Sequence, residues 1–252
     1  MKPLIIANWK MNPDSPGRAS ALAAKIERAA RAHQKKVEIV IAPPFPFLPA
    51  VGGAIRIARL GAQDLFWEDK GAYTGEVSGH QLKHLRVAYA IIGHSERRMY
   101  FGETDEAVNK KIRSALAEGI TPIVCVGERE RDGNNIPEIV GKQVEAAFSR
   151  VAASVAPGVV VAYEPVWAIS TTPGARPDTP ESALGARVFI KKILSGLYGR
   201  RTADAARIIY GGSVNAENIQ GFLREGMMQG ALVGGASLRP AEFSSIVEQA
   251  GS

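Results

Sequence analysis

Leu4-Ile5-Ile6-Ala7-Asn8-Trp9-Lys10-Met11-Asn12 is the stretch on which the fold turns. Its first four residues are an apolar run without polar alternation, as a strand of a parallel sheet buried on both faces requires. The corner that follows contains no glycine. A doubly wound open sheet, the nearest competing architecture, would place a glycine-rich phosphate-binding turn there. Comparable runs recur at Val37 to Ala42, Leu60 to Ala62, Tyr89 to Ile92, Pro122 to Val126, Val159 to Tyr163, Arg207 to Tyr210 and Ala231 to Val233. Helical patterns separate them, among them Ser20 to Ala32, Glu106 to Glu118, Val140 to Ala153, Ser182 to Leu197, Ala216 to Glu225 and Ala241 to Ala250. Eight strands alternating with helices over this length predict an α/β protein built as a single closed (β/α)8 barrel of eight parallel strands. No linker or low-complexity segment interrupts it, so residues 1–252 are read as one catalytic domain.

Composition narrows the function. Of 252 residues, 46% are hydrophobic and 22% charged, which suits a globular chain with one sizeable core. No apolar run is long enough to span a bilayer, and Met1-Lys2-Pro3-Leu4 leads straight into the first strand, so no membrane partner and no secretory signal are expected. A single cysteine, Cys125, excludes an internal disulfide and a cysteine metal cluster, fits a cytoplasmic setting, and reads as core because it lies inside an apolar strand. The net charge of +6 reads as a solvated basic surface with a modest attraction for anions. No basic helix or aromatic-laced basic stripe stands out, so nucleic acid is not an expected partner.

The polar residues of interest cluster at the carboxyl ends of the strand runs. Lys10 follows the first, His94 the fourth and Glu164 the sixth. Glycine pairs follow the last two, in Gly211-Gly212-Ser213 and Gly234-Gly235-Ala236-Ser237. In a β/α barrel these ends meet on one face, where active sites are built. Taken singly, Lys10 reads as a solvated charge, His94 as a local hydrogen-bonding residue, and the glycines as turns. Glu164 is different, because a carboxylate ending a buried strand needs a partner or a purpose. Two glycine corners after the last two strands are a common phosphate site, since backbone N–H groups there can approach an anion closely.

With these residues assembled, the chain resembles the triosephosphate isomerase family over nearly its whole length. The resemblance is carried by Asn8-Trp9-Lys10, Gly61-Ala62-Gln63, Gly71-Ala72-Tyr73-Thr74-Gly75-Glu76-Val77-Ser78 and Gly93-His94-Ser95-Glu96-Arg97-Arg98 with Phe101-Gly102-Glu103. It continues through Cys125-Val126-Gly127-Glu128, Tyr163-Glu164-Pro165-Val166-Trp167-Ala168-Ile169, Tyr210-Gly211-Gly212-Ser213-Val214 and Leu232-Val233-Gly234-Gly235-Ala236-Ser237-Leu238. It implies a TIM barrel that interconverts dihydroxyacetone phosphate and D-glyceraldehyde 3-phosphate in glycolysis and gluconeogenesis, as a homodimer and without metal or organic cofactor. It implies Glu164 as the base, with Pro165 holding its backbone extended. His94 would polarise the carbonyl and shuttle protons, its uncharged form favoured by the next helix, for which Ser95 is the expected N-cap. Lys10 would stabilise the enediolate beside Asn8, with Glu96 orienting Lys10 or the substrate. Ser213, Gly234 and Gly235 would hold the phosphate, and Thr74 would reach across the dimer to the partner's site.

The lid departs from the family pattern. Where the family reads Ala-Ile-Gly-Thr-Gly-Lys, this chain reads Ala168-Ile169-Ser170-Thr171-Thr172-Pro173-Gly174-Ala175-Arg176-Pro177-Asp178-Thr179-Pro180. Ser170 is then expected to present its N–H to the phosphate, with Gly174 as the flexible point. Met227-Met228-Gln229 stands where an acidic residue is usual and reads as structural drift at the far end of the barrel. A metal-dependent epimerase would need His and Asp ligands at several strand ends, and these are absent. A non-enzymatic barrel predicts loss of the base or the electrophile, and both are present.

Overall fold

The computed structural model describes all residues except 132 and 134. Eight strands close a barrel in sequence order: β1 (Leu4–Asn8), β2 (Glu38–Ala42), β3 (Arg59–Ala62), β4 (Tyr89–Ile92), β5 (Thr121–Val126), β6 (Val160–Tyr163), β7 (Arg207–Tyr210) and β8 (Gly230–Val233). Neighbours are parallel throughout, and the ring shuts where Leu4 of β1 stands opposite Gly230 of β8. The helices outside it are α1 (Pro16–His33), α2 (Leu48–Ala54), α3 (Gly79–His84), α4 (Ser95–Tyr100), α5 (Asp105–Ala117), α6 (Glu138–Phe148), α7 (Pro180–Tyr198), α8 (Arg200–Ala205), α9 (Ile219–Arg224) and α10 (Pro240–Ala250). The strand runs read from the sequence are met to within a residue. Most helix starts run earlier than the apolar pattern, because Ser15 and Thr179 cap α1 and α7 and Pro16 and Pro180 occupy the first helical turn, but α9 begins at Ile219 rather than Ala216 and α6 ends at Phe148 rather than Ala153.

Two hydrophobic layers explain the apolar strands. Leu4, Ile6, Val40, Ile91, Ile123, Cys125, Ala162, Ile209 and Leu232 fill the barrel interior. Their chain neighbours, such as Ile5, Ala7, Val124, Tyr163 and Ile208, face the helices. Side chains alternate along a strand. Continuing the inward set therefore turns Asn8 and Glu164 into the mouth of the barrel. That parity places two strand-end residues in the lining of the cleft at this mouth.

The far end is closed by polar contacts. Glu38 accepts from the Tyr89 hydroxyl at 2.6 Å and from Arg207 at 3.1 Å. Gln229 belongs to this end: its side chain accepts from the Ile208 N–H at 3.0 Å, and its carbonyl accepts from the Leu4 N–H at 3.0 Å. The residue that departs from the family pattern thus links β7, β8 and β1. The exposed face of α1 carries Arg18, Lys25, Arg28 and Arg31, so one helix is basic after all, without interleaved aromatics.

Candidate active site

A cleft of about 280 Å³ opens at the carboxyl end of the barrel. Asn8, Lys10, His94, Glu164, Ser170, Ser213, Gly234 and Gly235 all line it. Glu96 stands behind Lys10, and Thr74 lies apart on an exposed loop.

Lys10 adopts φ 52°, a left-handed backbone that costs energy for a residue with a Cβ. Both sides of it are tied. Its N–H donates to Asn8 Oδ1 at 3.0 Å, and its carbonyl accepts from Gln63 Nε2 at 2.8 Å. Gln63 also donates to the Ala42 carbonyl at 2.8 Å, joining the ends of β1, β2 and β3. The Lys10 ammonium meets Glu96 Oε1 at 2.6 Å. In the sequence Gln63 carries no role beyond its motif; an amide just beyond a strand end is its only signal.

His94 itself, rather than Ser95, is the N-cap of α4. Its Nδ1 accepts from the Glu96 N–H at 3.2 Å. Ser95 is already helical, so its side chain cannot cap. The correction has chemical content: a ring nitrogen that accepts a backbone N–H carries no proton, which leaves the proton on Nε2. That Nε2 lies 3.3 Å from Glu164 Oε1.

Glu164 is 2% exposed. Its Oε2 accepts from the Ser95 N–H at 3.0 Å, while Oε1 is buried with no hydrogen-bond partner. Buried carboxylate oxygens are normally satisfied; Glu128 Oε2 is idle too, but Glu164 alone of the two lines the cleft, beside the His94 ring. Glycines make the space: a Cβ on Gly127 would fall 1.8 Å from the Glu164 carbonyl oxygen, and one on Gly211 would fall 2.6 Å from its Cγ. Cys125 is buried in the core as read, and desolvation, reinforced by the neighbouring Glu164 carboxylate, pushes its thiol well above its ordinary range.

A buried charge cluster supports the histidine loop. Glu103 Oε2 accepts from the Gly93 N–H at 3.1 Å. Lys111 contacts Glu103 and bonds Asp64 at 2.7 Å, and Arg97 reaches Asp64 at 2.9 Å. Burial outweighs the Lys111 cation and pushes the Asp64 carboxyl from 3.8 up to about 6. A raised folded-state value means that Asp64 favours the folded state below about pH 4 and withdraws that support as pH climbs through 6. Asp64→Asn never ionises. Its stability relative to the parent should therefore rise between pH 4 and 7, by on the order of 2 kcal/mol. Urea unfolding of both proteins across that range checks this; a flat or falling difference would mean that the Asp64 carboxyl is not raised in the folded state.

The lid resolves into turns. Thr172 N–H donates to the Ile169 carbonyl at 2.8 Å, and Ala175 N–H to the Thr172 carbonyl at 3.1 Å. Gly174 takes φ +73°, and no described non-glycine residue of the lid enters the left-handed region. Replacing the family's glycines therefore leaves no strained serine or threonine, because the turn has moved to Gly174. Ser170 N–H donates to Ser213 Oγ at 2.8 Å, and that hydroxyl donates to the Ala168 carbonyl at 2.8 Å.

A family model described as triosephosphate isomerase matches residues 3–250. A triosephosphate isomerase of Moorella thermoacetica is 47% identical over 252 residues, covering 98% of both chains. One of Thermoanaerobacter sp. is 46% identical over 250 residues, again covering 98% of each, and one of Dictyoglomus thermophilum is 44% identical over 249 residues, covering 97% of this chain and 98% of its own.

Proposed function

Because the chain belongs to the triosephosphate isomerase family, we propose that it interconverts dihydroxyacetone phosphate and D-glyceraldehyde 3-phosphate through an enediolate, within glycolysis and gluconeogenesis in the cytoplasm. The observation that carries the mechanism is the idle Oε1 of buried Glu164 beside His94 Nε2. Glu164 removes the proton alpha to the carbonyl and returns a proton to the adjacent carbon. His94 donates from Nε2 to the carbonyl oxygen and moves a proton between the two oxygens. The Lys10 ammonium, aimed by Glu96 and carried on a backbone N–H that Asn8 Oδ1 holds, stabilises the negative oxygen. Backbone N–H groups at Gly234 and Gly235 hold the phosphate, joined by those of Ser213 and Ser170, which here donate to the Ala168 carbonyl and to Ser213 Oγ and exchange those partners when the substrate enters. The proton transfers balance without a cofactor. The working form is a homodimer in which Thr74 approaches the partner's site. A coupled assay on purified protein with glyceraldehyde 3-phosphate tests the activity; absence of isomerisation, with the fold intact, would overturn it.

Ser170→Gly should change kcat/KM by less than about tenfold, or roughly 1.4 kcal/mol of barrier. The serine is unstrained, and its contact to Ser213 runs through the backbone N–H, which glycine keeps. An enediolate left open to water expels phosphate: the C–O bond breaks, phosphate leaves with the electron pair, and the residual enol becomes methylglyoxal. A lid that covers its site gives little of that product. Methylglyoxal measured beside isomerisation in parent and variant decides the matter: high leakage in the parent that Ser170→Gly suppresses would show a compromised lid.

A further inference from the structure

Arg176 lies in the lengthened part of the lid, outside the residues that line the cleft. Three contacts converge on it. Its guanidinium carbon stands 4.9 Å from the centre of the Trp167 ring. Its Nη2 donates to the Arg131 carbonyl at 2.7 Å, across 45 residues of sequence. Its backbone N–H donates to the Trp167 carbonyl at 3.1 Å. Trp167 is held in turn, its indole N–H donating to Glu128 Oε1 at 2.9 Å with the Arg131 guanidinium 5.9 Å from the ring. Glu128 also accepts from the Tyr163 hydroxyl at 2.8 Å, which joins the assembly to the end of β6, one residue before Glu164.

These contacts tie both ends of the segment that carries Ser170. Between Trp167 and Arg176 the two turns described above take up the chain, and beyond Arg176 the Tyr210 hydroxyl donates to Asp178 Oδ2 at 3.2 Å. A loop fastened at both ends moves as a unit, and its tip arrives in one place. Resting on the isomerase reading above, we propose that Arg176 is a positioning residue: by clamping Trp167 to Arg131 it holds the lid segment so that the Ser170 N–H, which donates to Ser213 Oγ at 2.8 Å, can pass from that hydroxyl to the substrate's phosphate. A planar guanidinium can lie over an indole and donate from its edge together, which an ammonium cannot do.

The clamp acts on the phosphate end of the substrate, so its loss should discriminate between substrates. Arg176→Ala should lower kcat/KM for glyceraldehyde 3-phosphate by about 10- to 100-fold, while leaving the slow turnover of unphosphorylated glyceraldehyde within about twofold, and Arg176→Lys should recover only part of the loss. Equal losses on both substrates, or none on either, would overturn the proposal. Subtilisin cleavage within residues 170–178 reads the clamp without any activity: Arg176→Ala should be nicked about tenfold faster than the parent, and an unchanged rate also overturns it. A parent that is resistant to nicking but inactive would instead remove the isomerase reading and leave the clamp standing.

Discussion

Glu164→Gln is expected to lower kcat by about 10²- to 10⁴-fold, the usual cost of losing a general base, with the fold and phosphate affinity retained. The amide matches the carboxylate in shape, so the room provided by Gly127 and Gly211 still suffices. Its oxygen can go on accepting the Ser95 N–H that Oε2 accepts in the parent. What disappears is the lone pair on Oε1, the buried atom with no other partner. An amide nitrogen in its place cannot take a carbon-bound proton. The measurement is steady-state kinetics on protein free of host isomerase, beside a thermal melt and binding of an unreactive phosphate ester. A kcat within tenfold of the parent would show that Glu164 is not the base.

Thr74→Arg should convert the proposed dimer to monomer and lower catalysis together, by on the order of 10²-fold, because small displacements of catalytic groups are that costly. The loop that carries Thr74 keeps its shape by itself. Phe66 N–H donates to the Val77 carbonyl at 2.8 Å, closing the loop's base, and the Phe66 and Tyr73 rings stand 4.7 Å apart. Its tip is exposed, as are Met11 at 92% and Phe101 at 70%. Large apolar groups bared near a site's rim suit a partner surface. A two-fold interface would meet the new charge twice. Light scattering and activity measured on the same sample decide it; an unaltered dimer, or a fully active parent monomer, removes the assembly proposal.

Much of this was legible in the sequence for a physical reason. A strand buried on both faces must be apolar throughout, so the eight runs announce themselves, and their carboxyl ends must converge once the barrel closes. Glu164 stands out as a carboxylate ending a buried strand, whereas Asn8 comes in only with the family motif. What the sequence hid depends on contacts between distant side chains. His94 displaced Ser95 as cap because its ring reaches the Glu96 N–H, and no spacing rule separates those two candidates. The amide of Gln63 on Lys10, the Arg131 guanidinium near Trp167 and the bond of Arg176 to the Arg131 carbonyl span tens of residues and obey no periodicity. The prolines of the lid mean different things in different places. Pro180 proves to be in the first turn of α7, where a missing N–H costs nothing.

The meeting of Leu4 with Gly230 has a consequence for how the chain is made. The strand that leaves the ribosome first is the one whose second neighbour leaves last. Through most of synthesis β1 can pair with β2 alone, and its other edge, with Ile6 facing an unfilled interior, stays open to any strand that comes near. The finished ring has no such edge. Until β8 is made, the growing sheet therefore keeps an edge on which another chain could pair.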